Sequence, residues 1–129
     1  MMPDTAKIAV VYIVDQDESV RKHLSRLMHS AGLHLHSFSS TEEFLAKADA
    51  DADGCTLLDM AGLPTDLQLE VELKRRGIDL PVIAVSTRDD AQTRKLAMQL
   101  GARFFFRKPV DDQALIDTIQ WVLTTKRHD

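Results

Sequence analysis

The chain has 129 residues, 44% of them hydrophobic, and a formal net charge of −4. That is the size of one ordinary domain, 1–129, with enough apolar material for a core rather than a disordered chain. The acid excess gives no reason to expect nucleic-acid binding by these residues, and the single cysteine, Cys55, rules out an internal disulfide and fits a reducing compartment.

The first apolar run, residues 8–14, reads as a buried strand, short and β-branched. It is too short to span a membrane and no basic stretch precedes it, so a cytoplasmic location without membrane contact is expected. Val20, Leu24, Leu27, Met28 and Ala31 then recur at helical spacing; Asp17 or Ser19 can cap that helix and Gly32 can end it. Residues 33–38 suggest a second strand. Ser40-Thr41-Glu42-Glu43 has the form of a capping box, so a helix through Phe44 and Leu45 is predicted there.

Residues 55–59 read as a third strand that again ends in an acid, Asp59. Residues 66–73 alternate with period two, as a half-exposed strand does. Their composition favours helix, Gly77 follows as a stop, and a parallel connection needs a crossover, so helix is the expectation. Residues 81–86, opening with Pro81, read as a fourth strand. Asp89 or Asp90 opens a helix through Leu96, Met98 and Leu100, and residues 104–106 make a fifth strand. Asp111 caps a last helix carrying Leu115, Ile119, Val122 and Leu123. The alternation predicts a doubly wound α/β domain: a five-stranded parallel sheet with helices on both faces.

In such a sheet ligands bind beyond the carboxyl ends of the strands. Asp15-Gln16-Asp17, Asp59, Ser86-Thr87 and Lys108-Pro109 all fall there. A carboxylate nucleophile, a second acid for magnesium, a hydroxyl and a lysine together can accept a phosphoryl group. The metal and lysine neutralise charge on its oxygens, and the hydroxyl hydrogen-bonds one of them.

The stretches "YIVDQDESVRKHL", "LLDM", "PVIAVSTRDD" and "GARFFFRKPVDDQAL" resemble receiver domains of bacterial two-component response regulators, over essentially the whole chain. They most resemble receivers of the FixJ type, which usually carry a LuxR-like helix-turn-helix after the receiver. The resemblance implies the CheY-like, flavodoxin-like (βα)5 fold and a histidine kinase as partner. It makes Asp59 the phosphoacceptor and Asp15 an acidic-pocket residue. Ser86 becomes the hydroxyl that contacts the phosphoryl group, Lys108 the lysine that pairs with it, and Phe105 the aromatic switch that works with Ser86. It also implies a cis bond at Lys108–Pro109 and a magnesium ion held by Asp59, Asp15 and the backbone carbonyl of Ala61.

Gln16 stands where the family normally has a second acid that ligates magnesium. It can offer a carbonyl oxygen but no charge, so a weak Mg²⁺ site and slow phosphorylation are expected. Asp17 is better read as a helix cap. After Asp59 the family pattern is also altered: Pro64 comes one residue late, Asp66 replaces a glycine, and the segment is one residue short. Thr87 stands where a small residue is usual.

Other readings compete. A degenerate receiver would act by protein binding, without phosphorylation. Asp15-Gln16-Asp17-Glu18-Ser19-Val20 also resembles the nucleophile motif of haloacid-dehalogenase-type phosphatases, with Ser86 and Lys108 as later motifs. That family needs a further strand ending in paired acids after the lysine. Asp49-Ala50-Asp51-Ala52-Asp53-Gly54 matches the start of a calcium loop, but position twelve is Met60 rather than Glu. His34 and His36 can share one side of a strand, with no third metal ligand evident. Phe104 is either exposed on a face formed by helix four, strand five and helix five, where a homodimer can form, or tucked near Trp121.

Overall fold

The computed structural model describes residues 8–61 and 69–127. Five parallel strands, β1 (Val10–Val14), β2 (His34–Phe38), β3 (Gly54–Asp59), β4 (Val82–Ser86) and β5 (Ala102–Arg107), form one sheet in the order β2-β1-β3-β4-β5. The helices between them are α1 (Glu18–Ser30), α2 (Thr41–Lys47), α3 (Leu69–Arg75) and α4 (Ala91–Gln99), and α5 (Asp112–Arg127) follows β5. This is the doubly wound arrangement that the alternation predicts and the flavodoxin-like fold that the resemblance implies.

The central strands are buried on both faces, which is why they read as continuous apolar runs. Side chains alternate across the sheet. Leu58, Val82 and Ala84 pack with Phe44, Leu69, Leu73 and Ala97 on one face. Cys55, Leu57, Ile83 and Val85 pack with Met28, Ile119 and Val122 on the other. Each face thus has its own core, and the sheet is the wall between them.

The strand ends differ from the sequence reading by small amounts with clear causes. Ile8 is exposed and β1 starts at Val10. Pro81 lies just outside β4; it has no N–H to give the ladder, and its carbonyl accepts from Thr56 N at 2.8 Å. β3 begins one residue early, at Gly54, whose φ of +132° and position against β1 leave no space for a Cβ. An added Cβ would lie 1.8 Å from the Val10 carbonyl oxygen.

The ambiguous segment is helical where it is described. Leu69 and Leu73, one turn apart, are buried, while Val71 between them is exposed. The i, i+4 pair decides the matter over the period-two pattern, and Glu72 adds ion pairs to Arg75 and Arg76. Residues 62–68, which include the late Pro64 and Asp66, lie outside the described residues.

Capping resolves the open choices. Asp17 caps α1, accepting from Ser19 N at 2.9 Å and Val20 N at 3.4 Å. Asp90 caps α4 by accepting from Thr93 N at 2.7 Å, while Asp89 pairs with Arg94. Ser40 caps α2 through Glu43 N at 3.1 Å, but Glu43 reaches back to Ser39 N rather than to Ser40 N. Asp111 accepts from Ala114 N at 2.9 Å at the start of α5.

The calcium reading fails structurally. Asp49 closes a local turn by accepting from Asp51 N at 2.9 Å, β3 follows at Gly54, and Met60 is in the core. His34 and His36 are both exposed, and His36 stacks on Tyr12 at 6.0 Å. Among the described residues no three His, Cys, Asp or Glu side chains gather as a metal cluster. The phosphatase reading requires a strand after Lys108; residues 112–127 form α5 instead.

Candidate functional site

All five strands run the same way, so their carboxyl ends share one edge. β1 and β3 are neighbours whose connections leave in opposite directions, which opens a crevice there. Asp15 follows β1, Asp59 ends β3, Ser86 ends β4 and Lys108 follows β5. The predicted acids and the lysine do meet. Lys108 Nζ lies 3.0 Å from Asp15 Oδ2 and 3.5 Å from Asp59 Oδ1.

The backbone holds each group in place. Asp15 N donates to the Phe38 carbonyl at 3.0 Å, and Asp15 Oδ1 accepts from Asp17 N at 2.9 Å. Both Asp15 oxygens are therefore occupied. Asp59 Oδ1 accepts from Ala61 N at 3.3 Å and faces Lys108; among the described residues nothing hydrogen-bonds Oδ2. Ser86 is buried and its Oγ accepts from Arg88 N at 3.0 Å, which leaves its own proton available. Lys108 N donates to the Ser86 carbonyl at 2.8 Å, tying the lysine to the end of β4, and the Lys108–Pro109 bond is cis.

The charge balance is uneven. Asp15 is 3% exposed and Asp59 8%, with one ammonium between them. Burial raises the Asp59 pKa and the Asp15 charge adds to this; Lys108 opposes both without cancelling them. Burial also works against the Lys108 ammonium. Its hydrogen bond to Asp15 and the charges of both acids outweigh that, so its pKa lies above the ordinary value. Two buried carboxylates with one cation leave negative charge that a divalent ion would neutralise, so the donor set fits magnesium.

Gln16 is exposed at the end of this turn, so the third side chain brings no charge. Ala61 and Thr87 are also exposed. Phe105 is half-buried against the α3–α4 side of the core, with the Arg94 guanidinium 5.3 Å from its ring centre. Phe104 is the tucked case: it is half-buried and meets Trp121 edge-on at 5.7 Å. A largely apolar cavity of about 400 Å³ adjoins the acids, lined by Val20, Leu24, Leu57, Val110 and Leu115 together with Asp15 and Lys108. His23 on α1 meets Asp112 on α5 at 3.0 Å beside it.

Two residues at the site have no counterpart in the sequence reading. Arg21 donates to the backbone carbonyls of Asp15 and Gln16. Arg94 joins Asp89, three residues beyond Ser86, to the Phe105 ring. Arg21 acts on backbone carbonyls and Arg94 on a carboxylate five residues back and a ring face, and neither set of partners leaves a spacing pattern that sequence alone reveals.

The sequence matches the response regulator receiver domain family over residues 11–120. Among curated relatives, the transcriptional regulatory protein TdiR of Thauera aromatica is 35% identical over 124 residues, covering 95% of this chain and 55% of that protein. The structure of the response regulator StyR superposes with a TM-score of 0.80 at 31% identity, over 95% of this chain and 62% of that one. The FixJ-N structure gives a TM-score of 0.74 at 30% identity, over 89% and 93%. The chain spans about half the length of the curated relatives it matches. Among the described residues no helix is long and apolar enough to cross a membrane. With the fold, the carboxyl-edge acids and the family match in agreement, the chain belongs to the response regulator receiver domains of two-component systems.

Proposed function

We propose that this receiver, a single domain over 1–129, accepts a phosphoryl group on Asp59 from a histidine kinase. The observation that carries this reading is the asymmetry between the two acids. Asp15 has both oxygens engaged, whereas Asp59 offers Oδ1 to Lys108 and Ala61 N and, among the described residues, keeps Oδ2 unbonded. The free oxygen attacks phosphorus, the bond from phosphorus to the donor's imidazole nitrogen breaks, and an acyl phosphate forms as the imidazole leaves. Lys108 then pairs with the phosphoryl oxygens, and the Ser86 hydroxyl donates its proton to one of them.

Magnesium, when bound, supplies charge neutralisation at the phosphoryl group. Asp15 and Asp59, with the backbone carbonyl of Ala61 and a weak contribution from the Gln16 amide oxygen, would hold it. Ser86 and Phe105 form the switch that carries the change to the face of α4, β5 and α5.

Gln16→Asp tests the metal site. Adding the missing carboxylate should tighten magnesium binding at least about tenfold, ~1.4 kcal/mol, and speed phosphorylation at limiting metal. A magnesium titration of both proteins, following melting temperature and labelling rate, decides it; equal affinities and rates would remove Gln16 as the cause of a weak site.

One observation favours a second reading, a receiver that acts by protein binding without phosphorylation. With Gln16 in the turn, the described residues bring two buried acids, Asp15 and Asp59, to the pocket and no cluster of three. Absence of labelling at saturating magnesium would select it.

The same α4–β5–α5 face can hold a homodimer. Met98 is 75% exposed on α4 and Trp121 56% on α5, on either side of the edge strand β5. Met98→Asp should then weaken self-association in sedimentation by about tenfold, with the fold intact. A parent protein that stays monomeric with and without phosphodonor would exclude the dimer.

A further inference from the structure

The turn that carries Asp15 leaves two main-chain carbonyls, those of Asp15 and Gln16, past the end of β1 and before α1. One nitrogen takes both. Arg21 Nη1 donates to the Asp15 carbonyl at 2.7 Å and to the Gln16 carbonyl at 3.0 Å. Arg21 sits in the first turn of α1, and its own backbone N–H donates to the Asp17 carbonyl at 3.0 Å. Side chains on a helix lean toward its N-terminus, so the half-buried guanidinium folds back over the turn it follows.

These bonds continue to the charged centre. Asp17 N donates to Asp15 Oδ1 at 2.9 Å, and Asp15 Oδ2 meets Lys108 at 3.0 Å. The guanidinium, the turn, the carboxylate and the lysine form one connected set. An Asx turn closed only by its own carboxylate is free to open; one whose two carbonyls are also held from outside is not.

We propose that Arg21 is a positioning residue, whose guanidinium fixes the Asp15–Asp17 turn and so aims the Asp15 carboxylate at Lys108 and at magnesium. The metal part of this inference rests on the reading of the pocket as a magnesium-dependent phosphoacceptor site. Arg21 touches no reacting atom. Its effect passes through the turn.

A pure charge effect has the opposite sign. A cation near the pocket repels magnesium, so its removal would tighten binding, whereas loss of positioning loosens it. Arg21→Met keeps the apolar stem and removes both bonds; Arg21→Lys keeps the charge and a donor. The test is magnesium titration together with amide hydrogen exchange of the metal-free proteins. Arg21→Met should weaken magnesium affinity about tenfold, the usual scale for losing a group that orients a ligand. It should also speed exchange at the Asp17 amide while amides of β4 keep their protection, and Arg21→Lys should recover part of both. Unchanged Asp17 exchange, or unchanged or tighter magnesium binding in Arg21→Met, would overturn the proposal. If wild type itself binds no magnesium, the phosphoacceptor reading fails instead, and Asp17 exchange still decides whether Arg21 positions the turn.

Discussion

Lys108→Met should lower the stability of the metal-free protein by about 3 kcal/mol at neutral pH, the scale for removing one partner of a buried charged cluster. The lysine is the counter-charge shared by Asp15 and Asp59, at 3.0 and 3.5 Å. Without it two buried carboxylates repel each other with nothing between them. The Lys108 pKa is raised above its ordinary 10.5 by its acidic neighbours, despite burial. A group raised in this way contributes its full stabilisation below the ordinary value and loses it only as pH climbs through the raised one. The contribution is therefore complete at neutral pH. It fades in acid for a different reason, because the carboxylates become protonated. Melting in a chelator should fall by on the order of 10 °C, and magnesium should restore part of the loss. Equal melting of parent and variant would mean that the lysine is not what balances the two acids.

Asp59→Asn should do the opposite and stabilise the metal-free protein by roughly 1–2 kcal/mol at neutral pH. Burial and the Asp15 charge hold the Asp59 pKa above its ordinary 3.8. A carboxyl whose folded pKa is raised costs stability once ionised. Stability falls as pH rises from the ordinary value through the raised one and then levels off. The amide carries no such cost. The advantage of the variant should be full above the raised pKa and vanish as pH drops below the ordinary value. Denaturant unfolding of both proteins across this range, with chelator present, measures it. A variant less stable than the parent at neutral pH would show that Lys108 outweighs the repulsion after all.

Much of the fold was legible because β3 and β4 are buried on both faces, and only apolar runs survive there. The acids stood out for the same reason: Asp59 is the one charged residue of a strand that is otherwise uncharged and mostly apolar. Where two polar residues were both able to cap, as with Asp17 and Ser19, the choice depends on backbone angles that sequence does not carry. Phe104 was open between two faces because a strand residue points one way or the other, and only the neighbouring Trp121 decides it. Arg21 was invisible for a deeper reason. Its partners are carbonyls, which every residue has, so no residue type marks the place where an arginine is needed.

The central claim is that Asp59 is the phosphoacceptor. Intact mass of the protein after acetyl phosphate and magnesium, beside the same reaction in chelator and beside Asp59→Asn, tests it most directly. One added phosphoryl group on the parent with magnesium, little in chelator and none on the variant is the result the pocket predicts. Labelling that persists in Asp59→Asn, or a parent that stays unlabelled at saturating magnesium, would contradict it.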